Sequence, residues 1–174
     1  MRKQWRYIWV VLMVLTACAP TKPRSKDWTS IPPVQMAKNR YYDARIEPVK
    51  RDKRFFVAFR LDVVNKTDGK LTIDWNRTRY LHKGKPYGAF AFRGINPEDI
   101  RKNIPPETIA RGETFSREIF PVNLVAFAPM REEVLDQKGK GLFPGPIPGG
   151  QNGIRLVIRP GREEIIETLT VEIR

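Results

Sequence analysis

The chain has 174 residues, 41% of them hydrophobic, with a formal net charge of +13 and one cysteine. A single cysteine excludes an internal disulfide and any cysteine-built zinc site, so the fold must stand on its apolar core. The length suits one domain able to bury such a core, and the surplus of Lys and Arg favours anionic partners.

The chain begins with three readable parts. Arg2, Lys3 and Arg6 are positive, Ile8 to Leu15 is unbroken apolar, and Leu15-Thr16-Ala17-Cys18 follows. The apolar run is far short of the roughly 20 residues that cross a bilayer as a helix. A positive start, a short apolar centre and small residues before a cut describe a secretory signal peptide. Leu15-Thr16-Ala17-Cys18 resembles the lipobox of bacterial lipoproteins. That resemblance implies a signal peptide over 1–17, cleavage between Ala17 and Cys18, and lipid carried on Cys18. Two or more acyl chains would hold such a protein firmly, whereas one binds marginally. Ala19, in place of Asp, implies an outer-membrane address facing the periplasm over an inner-membrane one. Losing residues 1–17 removes three basic residues and no acid, taking the net charge from +13 to +10.

Residues 18–40 read as the lipidated N-terminus and a flexible tether. Pro20, Pro23, Pro32 and Pro33 stand among polar residues without apolar periodicity. From Tyr41 to Arg174 a single β domain is expected. Phe55, Val57, Phe59, Leu61 and Val63 alternate with Phe56, Ala58, Arg60, Asp62 and Val64, the mark of a half-buried strand. Asn65 to Gly69 is a turn, after which Leu71, Ile73 and Trp75 form the inward face of the next strand. His82-Lys83-Gly84-Lys85 is a further turn, and Tyr87 to Phe92 reads as a returning strand. Asn96-Pro97-Glu98-Asp99 looks like a helix start. Two strand pieces flank Arg111-Gly112, the second extended by Val122 to Phe127, and a short helix is expected over 129–138. Ile154, Leu156 and Ile158 lead into Arg159-Pro160-Gly161-Arg162, a type II turn. Ile165, Leu169, Val171 and Ile173 then run to the end. The expected fold is therefore all-β: an antiparallel, immunoglobulin-like sandwich of about seven strands with one or two short helical turns.

No catalytic constellation can be assembled. The single histidine, His82, falls in a Lys/Gly turn and reads as solvated. Glu132-Glu133 and Glu163-Glu164 are sequence neighbours, which a strand sends to opposite faces. No cofactor or metal motif is present. Asp74 and Asn76 flank Trp75 and share a face, as satisfiers of nearby backbone or as a ligand-binding pair. Two surface features are candidate contacts. Leu142, Phe143 and Ile147 are apolar residues in a long Pro/Gly-rich connection and form a candidate partner loop. Lys50, Arg51, Lys53, Arg54, Arg77, Arg79, Lys83 and Lys85 lie at two predicted hairpin turns and form a candidate basic rim.

The runs Phe59-Arg60-Leu61-Asp62-Val63-Val64-Asn65-Lys66-Thr67 and Ile73-Asp74-Trp75-Asn76-Arg77-Thr78, with Pro105-Pro106-Glu107-Thr108-Ile109 and Phe120-Pro121 after them, resemble a group of uncharacterised bacterial lipoproteins. The resemblance spans roughly residues 55–174. It implies the fold and the envelope address, and it brings no activity. The leading expectation is a membrane-anchored envelope lipoprotein acting as a non-catalytic binding or structural module. Its partners would be membrane lipid through acylated Cys18 and an envelope protein or anionic envelope component, and not nucleic acid. The alternative is an enzyme, or an enzyme accessory, acting on an envelope polymer.

Overall fold

The computed structural model describes residues 27–51, 53–93, 95, 99–100, 102–127 and 142–174. The expected signal peptide, Cys18, the Asn96-Pro97-Glu98 part of the expected helix start and the helix expected over 129–138 lie outside the described residues; Asp99 and Ile100 are helical.

Among the described residues fourteen strands run in chain order: β1 (Ser30–Ile31), β2 (Gln35–Lys38), β3 (Tyr42–Val49), β4 (Ala58–Asn65), β5 (Leu71–Ile73), β6 (Arg79–His82) and β7 (Lys85–Gly88). They continue with β8 (Phe90–Phe92), β9 (Glu107–Ile109), β10 (Thr114–Pro121), β11 (Val125–Phe127), β12 (Leu142–Pro144), β13 (Gly150–Pro160) and β14 (Ile165–Ile173). One sheet holds seven of them. Its path is β1-β14-β13-β5-β9, with β6 also on β13 and β7 on β6. The other has the order β2-β3-β4-β10-β8, and β11 and β12 form a separate two-stranded ribbon. Every pairing is antiparallel. The protein is thus all-β, two antiparallel sheets with a core between them.

Alternation decides what enters that core. Tyr42, Ala44 and Ile46 of β3, Phe59, Leu61 and Val63 of β4, and Leu156, Ile158, Leu169 and Val171 of the β13–β14 pair are all buried. Two aromatic groups fill the space between the sheets. Trp75 lies against Phe92 and Phe115, at centroid distances of 5.4 and 6.0 Å. Tyr80, Phe59 and Phe90 meet at 6.1–6.5 Å, in tilted and edge-on geometries that aromatic rings favour. On the opposite face of the smaller sheet, Val57, Ala58, Ala91 and Phe120 make a second, smaller apolar cluster.

The structure differs from the sequence reading in several places. The tether expected through residue 40 contains β1 and β2, one in each sheet. Trp28 and Thr29 are already tied in by backbone hydrogen bonds to Arg54 and Arg174. Short edge strands carry too few residues for alternation to show. Trp75 is inward as expected, at 1% exposure, yet it sits in the turn after β5 and not on the strand. Tyr87 to Phe92 is not one strand. It breaks after Gly88 and changes sheet, β7 pairing with β6 and β8 with β10. The pieces around Arg111-Gly112 likewise belong to different sheets, β9 to β5 and β10 to β4. Val122–Leu124 is a 3-10 turn, so β11 does not prolong β10. These sheet changes split the expected strands and raise their number well above seven.

Candidate functional site

Pairing registers divide the sandwich into two ends. At one end a chain of neighbours is hydrogen-bonded across both sheets. The Trp28 N–H donates to the Arg54 carbonyl at 3.1 Å. Thr29 and Arg174 exchange backbone bonds of 2.8 and 2.9 Å. Ser30 and Gly150 both oppose Ile173, and the Lys83 N–H donates to the Gln151 carbonyl at 2.8 Å. The Ile147 N–H donates to the Phe56 carbonyl at 2.8 Å, which joins the 50–57 loop to the segment before β13. The first described residues therefore meet the fold at the end bearing the β3–β4 loop, the β6–β7 turn and the base of the β11–β12 ribbon.

The local sequence explains these loops. Lys83 and Gly84 have φ of 50° and 73°, the positive values that a two-residue type I′ hairpin turn requires. Glycine supplies one of them freely, and the turn pushes Lys83 and Lys85 into solvent. Asn152, fully buried on β13, holds the approach to that strand: its amide donates to the Pro148 and Gly150 carbonyls at 2.8 Å each. Its Oδ1 accepts from the Tyr80 hydroxyl at 2.5 Å and lies 3.2 Å from His82 Nδ1. Burial, aided by the neighbouring Tyr87 phenol, pushes the Tyr80 hydroxyl well above its ordinary pKa, so it remains a donor. His82 ends β6, half-buried beside Tyr87 at 6.1 Å, and is not the solvated turn residue expected.

The candidate basic rim separates into two groups. Lys50, Arg51, Lys53, Arg54, Lys83 and Lys85 lie toward the end just described. Within it, Arg51 is ion-paired with Glu118, and the Lys50 ammonium sits 5.2 Å from the Phe56 ring centre. Lys53, Arg54, Lys83 and Lys85 are exposed and have no ion pair among the described residues. Arg77 is at the opposite end, paired with Glu164, and Arg79 turns back onto the Thr78 carbonyl at 2.9 Å. Hairpin alternation could not reveal this, because Arg77 sits in the irregular turn that separates β5 from β6 along β13. Arg174, exposed beside Thr29, adds a cation at the first end that sequence reasoning missed; only the β1–β14 pairing places it there.

The candidate partner loop also divides. Ile147 is a core residue with 0% exposure, because the segment before β13 turns inward to bond Phe56. Phe143, on β12 opposite Ala126, is 39% exposed. The Leu142 side chain lies outside the described residues.

Asp74 and Asn76 are structural. The Asp74 N–H donates to the Val157 carbonyl at 3.0 Å, its Oδ1 accepts from the Asn76 N–H at 3.1 Å, and its carboxylate pairs with Arg159 at 2.8 Å. The Asn76 side chain exchanges bonds of 2.7 and 2.8 Å with the Ile104 backbone. The Val157 N–H donates to the Thr78 hydroxyl at 3.2 Å, bridging the gap that the turn leaves in the ladder. Glu163 and Glu164 lie before β14 and on no strand, yet they have different partners: Glu163 accepts from the Tyr41 hydroxyl, and Glu164 faces Arg77 and Arg159.

The far end carries an open hollow of about 640 Å³ lined by Arg40, Tyr41, Lys66, Asp68, Lys70 and Pro160 among others. Its single carboxylate, Asp68, pairs with Arg111 at 2.9 Å, and Lys66 pairs with Asp43 at 2.8 Å. No group of His, Cys, Asp and Glu able to hold a metal occurs among the described residues. The structure therefore defines the class only as a two-sheet, antiparallel β-protein with a loop-bearing basic end. No family model, curated protein or solved structure matches the chain.

Proposed function

We infer that this protein is a lipid-anchored envelope module that binds rather than catalyses. It is held to the membrane through Cys18 and presents its domain to an envelope protein or an anionic envelope component. One observation carries this reading: the described chain joins the sandwich at Trp28, beside Arg54 and Arg174, at the end that also bears the exposed Lys53, Lys83 and Lys85 and the base of the β11–β12 ribbon. An anchor attached there and a contact surface built there serve the same purpose. The resemblance of residues 15–18 to a lipobox supports the anchor, and Ala19 supports an outer-membrane, periplasm-facing address. The finer immunoglobulin-like arrangement belongs to the same proposal. Its supports are the two antiparallel sheets, the loops gathered at their ends and the buried Trp75.

Metabolic labelling with a fatty-acid analogue tests the anchor. Wild-type protein takes the label, and Cys18→Ser loses both label and membrane association. An unlabelled wild-type protein overturns the reading. Turnover of a purified envelope polymer by the protein would instead establish the enzymatic alternative.

A further inference from the structure

We propose that the end formed by the 50–57 loop, the 83–84 turn and the Trp28 junction rests against an anionic phospholipid surface, with Lys53, Arg54, Lys83, Lys85 and Arg174 facing the headgroups. The proposal builds on the lipid anchor and adds which face meets the membrane and what that face recognises.

The first argument is chain length. From Cys18 to Trp28 the chain makes ten residue steps, which reach at most about 35 Å when fully extended. An anchor at Cys18 therefore keeps the Trp28 junction within about one strand length of the bilayer. The opposite end, with the 66–70 turn and Gly161, lies a whole β13 farther away, and this strand of 11 residues spans about 36 Å.

The second argument is charge. Arg54 is bonded through its carbonyl to Trp28, Arg174 is bonded to Thr29, and the Lys83 side chain passes close to Gly150. The five cations thus lie on segments of both sheets at the same end as the junction. The described acids nearby are Asp27, Glu172 and Glu118, the last paired with Arg51, and Asp52 stands beside Lys53 in the sequence. At the far end Lys66 is paired with Asp43, Arg77 and Arg159 with Glu164, and Arg111 with Asp68, while Lys70 and Arg162 are exposed without an ion pair among the described residues. Unpaired cations within a Debye length of an anionic surface contribute additively to adsorption, and an anchor whose tether reaches at most about 35 Å keeps that approach frequent.

The test uses the mature chain, residues 18–174, carrying Cys18→Ser. All fourteen strands fall within residues 30–173, so the fold is intact in it. Binding is measured to vesicles of phosphatidylglycerol with phosphatidylcholine and to phosphatidylcholine alone, across a salt series. The parent chain should bind the anionic vesicles selectively and lose binding as salt rises. Changing Lys53, Arg54, Lys83 and Lys85 together to Gln should weaken it about 100-fold or more at low salt. A matched variant with Arg40, Lys66, Lys70 and Arg162 changed to Gln should change it less than about threefold, since these lie outside the contact. Circular dichroism of both variants confirms folding. Equal loss in the two variants, equal binding to both vesicle types, or no binding at low salt overturns the proposal. So does competition by inorganic phosphate beyond that of chloride at equal ionic strength, which would indicate a discrete phosphate site. Acyl labelling is read separately on wild type. An unlabelled Cys18 with selective vesicle binding removes the anchor and keeps the surface, while a labelled Cys18 without it does the reverse.

Discussion

Tyr80 and Asn152 meet inside the sandwich, the hydroxyl donating to the amide oxygen at 2.5 Å, and through this contact the core reaches the loop ahead of β13. The same Asn152 side chain donates to the Pro148 and Gly150 carbonyls. Asn152→Ala strands three buried or half-buried groups at once and should cost about 2–4 kcal/mol in urea unfolding. Tyr80→Phe removes only one donor and should cost about 1 kcal/mol. In the double variant the Tyr80 hydroxyl is no longer left unsatisfied. Its loss should therefore be smaller than the sum of the singles; simple additivity would show that the contact does not couple the residues.

Trp75 separates packing from hydrogen bonding. It lies between Phe92 and Phe115, and its indole N–H has no partner among the described residues. Trp75→Ala should cost about 3–5 kcal/mol, the range for emptying a large aromatic site. Trp75→Phe should keep more than half of that, because no hydrogen bond is lost. In residues 18–174 carrying Trp28→Phe, Trp75 is the one indole, and its emission should be blue-shifted and poorly quenched. Emission like that of a solvated indole would contradict its burial.

Ile147 and Phe143 should respond oppositely to truncation although four residues separate them. Ile147 is enclosed in the core, and Ile147→Ala should cost about 2–5 kcal/mol. Phe143, 39% exposed on β12, should change stability by about 0.5 kcal/mol or less as Phe143→Ala. Thermal unfolding of the two variants decides the matter. Comparable destabilisation would show that the ribbon belongs to the core.

Glu164 gives the fold an acid-sensitive tie. What burial it has pushes its carboxyl up, but hydrogen bonds and charge from Arg77 and Arg159 outweigh that and hold it below the ordinary carboxylate value. A lowered folded pKa means that the unfolded chain takes up the proton more readily. The contribution is therefore present above the unfolded value and is lost as pH falls through the folded one. Glu164→Gln should be less stable than wild type at neutral pH, with the gap closing on acidification. A gap that is constant from pH 7 to pH 3 would rule out this linkage.

Tyr41 to Arg174 was legible as all-β from alternation alone, and so were the faces of β4, β13 and β14. In long strands every second side chain either meets the opposing sheet or does not, and burial writes that period into the sequence. The turns at Asn65–Gly69 and Lys83-Gly84 were legible for a similar reason, since few residue types fit such backbones; the last turn is not the expected type II turn over 159–162 but falls one residue later, where the Glu163 N–H donates to the Pro160 carbonyl at 3.3 Å and Gly161-Arg162 are central. Gly84 and Gly161 do adopt positive φ. The structure decided whatever depends on contacts between distant segments. Gly88 ends one sheet's strand two residues before the other's begins, a change that no local pattern records. Ile147 and Phe143 have the same apolar character and the same Pro/Gly surroundings, yet a single backbone bond to Phe56 carries the first into the core. Likewise, Arg54 and Arg174 lie beside Trp28 and Thr29 and Lys83 lies at the same end, while Arg77 is sent to the far end. A charge in a sequence carries no direction, and only the pairing of β1 with β14 and of β6 with β13 assigns it one.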